Sequence, residues 1–132
     1  MKSSFPPAVP EIPITDLAAA LAYYAQCLGF EVDWHEEELG LAGVSKVDCR
    51  MFLANAEFRK QRGTVAPVLI WLNLDGKAEV DAVYRAWAAS GANLLSAPES
   101  KPWGLHEFTA TDLDGNLFRV FYDFATPSRE GA

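Results

Sequence analysis

The chain reads as an α+β protein made of two βαβββ modules that curve together into a cup. Three observations predict this. Two amphipathic helical segments each follow a short apolar strand. The two copies keep nearly the same spacing, since Gly29 and Gly91, which end the helices, lie 62 residues apart and the preceding strands 60 apart. After each helix there is enough chain for three further strands. A length of 132 residues with 50% apolar and 12% aromatic content suits one domain over 1–132 and excludes a disordered chain.

The first strand lies around Ile12–Ile14. The first helix runs from Thr15-Asp16-Leu17 to Leu28, with Leu17, Leu21, Tyr24 and Leu28 at helical spacing. Thr15 or Asp16 can cap its free amides, and Gly29 supplies the left-handed stop. Strands are expected at Phe30–His35, about Leu41–Val47 and Arg50–Ala54, closing a first module over 8–60. The second module, 66–124, opens with a strand around Leu72–Leu74. Its helix spans roughly Ala78 to Ser90, with Val80, Val83, Tyr84 and Trp87 as the apolar stripe, so Trp87 is a core residue. Strands follow at Asn93–Ser96, Leu105–Thr111 and Leu117–Phe124. The run Asp112-Leu113-Asp114-Gly115-Asn116 is turn chemistry, and the prolines of Ala97–Pro102 mark a loop. The tail 125–132 has nothing to bury and is expected to fray. Each helix covers one face of a four-stranded sheet, leaving the opposite faces to line the cup.

Charge and cysteine content narrow the function. With 11 basic and 18 acidic residues the chain carries a net charge of −7, which argues against nucleic-acid binding, because phosphate contacts need clustered Lys and Arg. An acidic field attracts cationic ligands, and it equally serves solubility alone. No apolar run approaches membrane-spanning length, and Met1–Pro7 lacks the apolar region of a secretion signal. Cys27 and Cys49 read as ordinary buried thiols, so a cytoplasmic location is expected. Neither has a His or Asn placed to activate it, and the scattered glycines form no phosphate loop.

Several ordered segments carry a family resemblance. Ala8–Leu17, Tyr23-Tyr24 and Leu28-Gly29-Phe30 resemble the opening of vicinal-oxygen-chelate proteins, the glyoxalase/bleomycin resistance protein/dioxygenase superfamily. Pro102-Trp103-Gly104, Glu107-Phe108 and Asp112–Asn116 resemble the closing signature of its bleomycin-resistance branch. The match covers about residues 8 to 124. The fold hosts lyases, isomerases, dioxygenases, thiol transferases and non-catalytic binders, so the resemblance specifies architecture more sharply than activity.

Metal-using members of the family place His, Gln or Glu at matching points of the two modules. By that register the points fall on Val9, Leu69 and Arg119, with Met51 as the approximate first-module counterpart of Arg119. None suits a hard divalent cation, and Arg119 would repel one. The resemblance therefore implies that the usual metal centre is absent, and no cofactor is expected. A relocated site would have to use Glu11, His106 and Glu107. His35 and His106 are the only histidines, and His106 and Glu107 are strand neighbours that point to opposite faces.

The cup faces are aromatic and polar instead. A hairpin turning at Leu113–Gly115 sets Glu107 near Phe121 and Thr109 near Arg119, with Phe108, Val120 and Tyr122 on the helix side. Glu107 and Arg119 then pair across the floor, either to neutralise the guanidinium or to hold a ligand. Trp71 alternates with Ile70 and Leu72 and so faces the cup, unless it is simply core. Trp103 stands at the rim with little to pack on. By resemblance, Asp33, Trp34, Trp71 and Trp103 match the antibiotic-binding groove of bleomycin-resistance proteins. Indoles and carboxylates together suit a flat aromatic ligand, cationic in the sharpest version. The run Glu36-Glu37-Glu38 is an acidic edge.

The resulting expectation is a homodimer that binds and sequesters a bulky aromatic small molecule without a metal, using Asp33, Trp34, Trp71, Trp103, Glu107, Arg119 and Phe121. The competing expectation is a glyoxalase-like lyase or isomerase, or a dioxygenase, with an atypical metal site. A protein-interaction module has no motif behind it.

Overall fold

Asp16 starts the first helix: its carboxylate accepts a hydrogen bond from the Ala19 N–H at 2.9 Å, satisfying one of the amides a helix start leaves unpaired. The computed structural model describes residues 5–60 and 65–126. Over these the order is β1 (Glu11–Pro13), α1 (Leu17–Gln26), β2 (Glu31–Glu36), β3 (Leu41–Lys46), β4 (Cys49–Ala54) and α2 (Ala56–Arg59). The second half follows with β5 (Leu69–Asn73), α3 (Lys77–Ala89), β6 (Asn93–Leu94), β7 (Glu99–Ser100), β8 (Leu105–Thr111) and β9 (Leu117–Asp123). The tail expected to fray lies outside the described residues from 127 onward, as does Met1–Ser4 of the N-terminal segment. Among the described residues no helix is long and apolar enough to cross a membrane.

The two halves repeat one topology. The first sheet has the order β1-β4-β3-β2 and the second β5-β9-β8-β6, with β7 also on β8. In each, the strand before the helix runs parallel to the last strand, and the rest are antiparallel. A parallel partner needs a crossover, which α1 and α3 supply. Helix α1 buries Leu17, Ala20, Tyr23 and Tyr24, and α3 buries Val80 and Trp87 two turns apart. The stripe read from the sequence is therefore the core face in both.

Three local features depart from the sequence reading. Strand β5 begins at Leu69, earlier than Leu72. Helix α2 was not expected; its signal is Asn55, whose side chain accepts from the Phe58 N–H at 3.1 Å. The stretch read as the loop Ala97–Pro102 contains β7, whose Glu99 and Ser100 pair with Glu107 and His106. Strands β6 and β7 lie along the same edge of β8, and the segment with Pro98 between them interrupts what would be one strand. At the β3–β4 turn Val47 adopts φ +53° in a two-residue loop, a position that favours glycine.

The helix-side faces of both sheets share one core, with Tyr24, Leu28, Met51 and Leu53 from the first half meeting Trp87, Phe108, Phe118 and Val120 from the second. Tyr24 stacks edge-on against both Phe30 and Phe118. Buried polar bonds sew the same seam. Tyr23 Oη donates to Thr111 O at 2.8 Å, Tyr24 Oη to Asp112 Oδ2 at 2.7 Å and Trp87 Nε1 to Leu28 O at 2.9 Å. Asn116, fully buried, donates through Nδ2 to Pro13 O and Asp112 Oδ2, both at 2.8 Å, while its Oδ1 accepts from Val68 N–H at 2.9 Å.

Candidate functional site

The second sheet turns one face to its helix and the other outward. Phe108, Ala110, Phe118 and Val120 are at most 1% exposed, so alternation puts Glu107, Thr109, Arg119 and Phe121 on the opposite, open face. The register pairs Glu107 with Phe121 and Thr109 with Arg119, as the hairpin reading requires, and the parallel β5–β9 pair sets Trp71 beside Arg119. On this face the side chains form one connected group. Trp103 Nε1 donates to Glu107 Oε2 at 3.2 Å, and Glu107 Oε1 lies 3.8 Å from an Arg119 guanidinium nitrogen. The Arg119 guanidinium sits 5.2 Å from the Trp71 ring centroid, and Trp71 meets Phe121 edge-on at 5.4 Å.

The electrostatics of this group are uneven. Glu107 is 4% exposed and has both oxygens engaged. Arg119 is less well provided for. Its Nε is buried and finds no hydrogen-bond partner among the described residues, and 3.8 Å is too long for a charge-assisted hydrogen bond to Glu107. A buried donor left unmade costs about 1–3 kcal/mol, which stacking on Trp71 offsets only in part at roughly 0.5–2 kcal/mol. Trp71 is 48% and Trp103 62% exposed, so both indoles present large apolar area to whatever covers this face.

The first sheet builds its open face differently. Trp34 pairs with Gly43, and a β-carbon on Gly43 would lie 2.7 Å from the Trp34 ring, so the glycine is what lets the indole lie across the neighbouring strand. Trp34 meets Phe52 edge-on at 5.3 Å, and the Arg50 guanidinium lies 5.7 Å from the Phe52 ring centroid. Regular alternation would send Asp33 to the face opposite Trp34. The strand is instead irregular between Val32 and Trp34, and Asp33 accepts from Ser45 Oγ at 3.0 Å, on the same side as Gly43. Sequence reasoning missed Phe52, Arg50 and Gly43, although the buried Met51 and Leu53 on either side of Phe52 are the alternation that marks it.

The seven candidate residues thus fall into two groups. Trp71, Trp103, Glu107, Arg119 and Phe121 are joined on the second sheet. Asp33 and Trp34 belong to the first, and among the described residues every ring contact, hydrogen bond and ion pair of each group stays on its own sheet. Asp33, the carboxylate expected in the groove, is engaged by Ser45, and Glu107 pairs with Arg119 as the hairpin reading expects. Trp71 also lines a cavity of about 280 Å³ with Phe30, Cys49, Leu74 and Trp87, where the β3–β4 turn approaches β5. Burial there pushes the Cys49 thiol above its ordinary range, which keeps it protonated and a poor nucleophile. Trp87, 3% exposed, is core. His106 faces α3: Nε2 lies 2.8 Å from Asp81 Oδ1 and Nδ1 2.9 Å from Ser100 Oγ, which clamps β7 to the helix and leaves His106 opposite Glu107.

Comparison with known proteins matches this architecture. The family model described as the Glyoxalase/Bleomycin resistance protein/Dioxygenase superfamily matches residues 8–120. The chain belongs to this superfamily. Solved structures with the same fold include a glyoxalase/bleomycin resistance protein/dioxygenase from Nocardioides, with TM-score 0.76 and 19% identity over 97% of this chain and 90% of that one. A bleomycin-binding protein complexed with bleomycin superposes with TM-score 0.69 and 24% identity over 89% of this chain and 98% of that one. A lactoylglutathione lyase from Agrobacterium tumefaciens gives TM-score 0.71 and 22% identity over 89% and 94%. None of the curated proteins compared matches the chain in sequence.

The side chains at the superfamily's metal points do not fit a metal ion. Val9 and Leu69 have no donor atom, and Arg119 brings a positive charge. Met51 does not belong with them: it is 1% exposed on the helix side and corresponds to Phe118. The counterpart of Arg119 is Phe52, since Phe52 pairs with Glu11 as Arg119 pairs with Trp71, and β1 and β5 precede helices that start sixty residues apart. Phenylalanine cannot ligate either. Among the described residues no three of His, Cys, Asp or Glu gather in a way that could hold a metal.

Proposed function

We propose that this chain is a metal-independent binding protein that takes up a bulky aromatic small molecule and holds it stoichiometrically, as expected of the bleomycin-resistance branch. The observation that carries the reading is the joined set Trp71, Phe121, Trp103, Glu107 and Arg119 on an open sheet face, where ring stacking is on offer and Glu107 is the set's single carboxylate, already engaged by Trp103 and Arg119. Asp33 and Trp34, with Phe52, supply a second aromatic wall. Because the helix-side faces share one core, the two open faces need a second copy of the chain to enclose a ligand, and the protein works as a homodimer. Exposed Leu69, Trp71 and Trp103 are the apolar surface such a dimer would cover.

The test combines two measurements on purified protein. Tryptophan fluorescence titration with bleomycin and with uncharged aromatic metabolites is expected to saturate at one ligand per chain with no product formed. Light scattering is expected to give twice the 14.5 kDa chain mass. Stoichiometric Zn, Ni, Mn or Fe, together with a Tm that falls by several degrees on chelation, would refute metal-independent binding and move the chain to the lyase or dioxygenase class.

A further inference from the structure

We infer that Arg119 is an oxyanion anchor, so that the aromatic ligand of this site carries a carboxylate or another planar oxyanion. The inference rests on the aromatic-ligand reading above and names the charge of that ligand. It begins from a mismatch. At a point where superfamily members with a metal hold one of its donors, this chain places a fixed positive charge of its own. The guanidinium reaches the same open face and can meet a ligand's oxygens directly, without an intervening ion.

The geometry favours this over a merely structural ion pair. A structural arginine is ordinarily held by hydrogen bonds, whereas Arg119 is held by packing. Its Cζ lies 5.2 Å from the Trp71 ring centroid, its Nε is buried with no hydrogen-bond partner among the described residues, and its approach to Glu107 stops at 3.8 Å. Guanidinium carries five N–H donors in a rigid fork, and among the described residues the buried Nε donor of Arg119 has no partner. Among the described residues Glu107 is the one carboxylate paired with Arg119, and its other oxygen takes the Trp103 indole N–H. Lys101 stands 5.8 Å from the Trp103 ring centroid but is ion-paired at 3.0 Å with Glu99, which lies in register with Glu107, so these two rim charges offset each other. Thr109 lies opposite Arg119 in register and adds a hydroxyl to the same face. The first sheet repeats the combination, with Arg50 set over Phe52. A protein of net charge −7 therefore presents an arginine on an aromatic ring at each of its two open faces. This arrangement receives an anion attached to a flat ring: the ring packs against Trp71 and Phe121, and the oxyanion takes the fork.

Three ring-matched probes test the sign: 2-naphthoate, 2-naphthamide and the 2-naphthylmethylammonium ion, titrated by tryptophan fluorescence and calorimetry against the full chain. Naphthoate is expected to bind about ten- to a hundredfold more tightly than either of the others, the range a charge-assisted hydrogen bond supplies. R119Q should weaken naphthoate at least tenfold more than it weakens naphthamide, so that the preference for the anion disappears. R119M, which leaves no amide on the face, should do the same, so that a folding defect in one variant does not decide the matter. Equal binding of all three probes, tighter binding of the ammonium ion, or indifference of naphthoate to both variants would overturn the anchor and leave the aromatic site standing. Failure of all three probes to bind would overturn the aromatic site with it.

Discussion

Replacing Trp87 and replacing Trp71 by alanine should have opposite consequences, and the structure sets the size of the difference. Trp87 is 3% exposed, contacts Phe108 and Phe118 edge-on at 5.7 and 6.3 Å, and donates Nε1 to Leu28 O at 2.9 Å across the two halves. Removing a buried indole costs about 3–5 kcal/mol through lost burial and the void left behind. The loss of the bond to Leu28 O pushes towards the upper end. The neighbouring cavity of about 280 Å³ pulls the other way, since it would merge with the void and admit water to that carbonyl. A loss of about 4 kcal/mol in a chain of 132 residues lowers Tm by roughly 12–20 °C. Trp71, 48% exposed, gives up one edge contact to Phe121 and the stack under Arg119, together about 1–2 kcal/mol. Trp103 at 62% exposure should cost less still. Calorimetric melting of the three variants beside ligand titration separates the roles: W87A loses stability, whereas W71A and W103A lose roughly 1–3 kcal/mol of binding, as interface anchors do. Equal loss of Tm in all three would show that Trp71 and Trp103 are core residues and that the open-face site is wrongly drawn.

Other outcomes follow from the seam and from the first sheet. Burial first, and then the Asp112 carboxylate, push the Tyr24 phenol far above its ordinary value, and burial raises Tyr23 as well. Both contributions to stability are therefore intact below about pH 10 and are lost as pH climbs past it; Tm measured from pH 8 to 11 should fall, and less steeply in Y24F. N116A removes the partner of Pro13 O and Val68 N–H at once and should cost about 3–5 kcal/mol in denaturant melts, far more than an exposed Asn would. G43A puts a methyl group where the Trp34 ring lies, so the indole must swing off the face. Binding should weaken, and the Trp emission shift, while far-ultraviolet circular dichroism stays native.

Much of the architecture was legible because it rests on periodicity and punctuation. The stripe Leu17, Leu21, Tyr24, Leu28 and its counterpart on α3, each ended by a glycine with positive φ, fixed the helices and exposed the internal repeat. The β8–β9 register followed from one turn sequence, and with it the placement of Glu107, Arg119 and Phe121. What escaped depended on irregularity or on tertiary partners. Pro98 signalled a loop correctly but concealed that the chain rejoins β8 immediately afterwards as β7. The irregularity at Asp33 brings neighbouring side chains to one face, which alternation forbids and no residue type announces. Met51 came from an approximate register between the two repeats that was one residue off; a shift of one reverses every side chain, and Phe52 is the residue facing out. The pairing of Glu107 with Arg119 was legible from the hairpin, whereas the bonds of Asp33 to Ser45 and of Glu107 to Trp103 depend on side-chain positions that only folding fixes.

The hydrogen bonds from Tyr23, Tyr24, Trp87 and Asn116 have a consequence for how the molecule comes apart. Each of these side chains makes a bond to the other repeat, Asn116 through Pro13 O, so neither repeat can open without stranding buried polar atoms and half of a shared aromatic cluster. Melting should show a single cooperative transition, with the slowest-exchanging amides distributed over both sheets rather than confined to one. A duplicated module ordinarily gains freedom for one copy to diverge while the other maintains the fold. Here that freedom is restricted to the outward faces. The inward faces have become mutually dependent, and a substitution tolerated in a lone repeat would be felt by its twin.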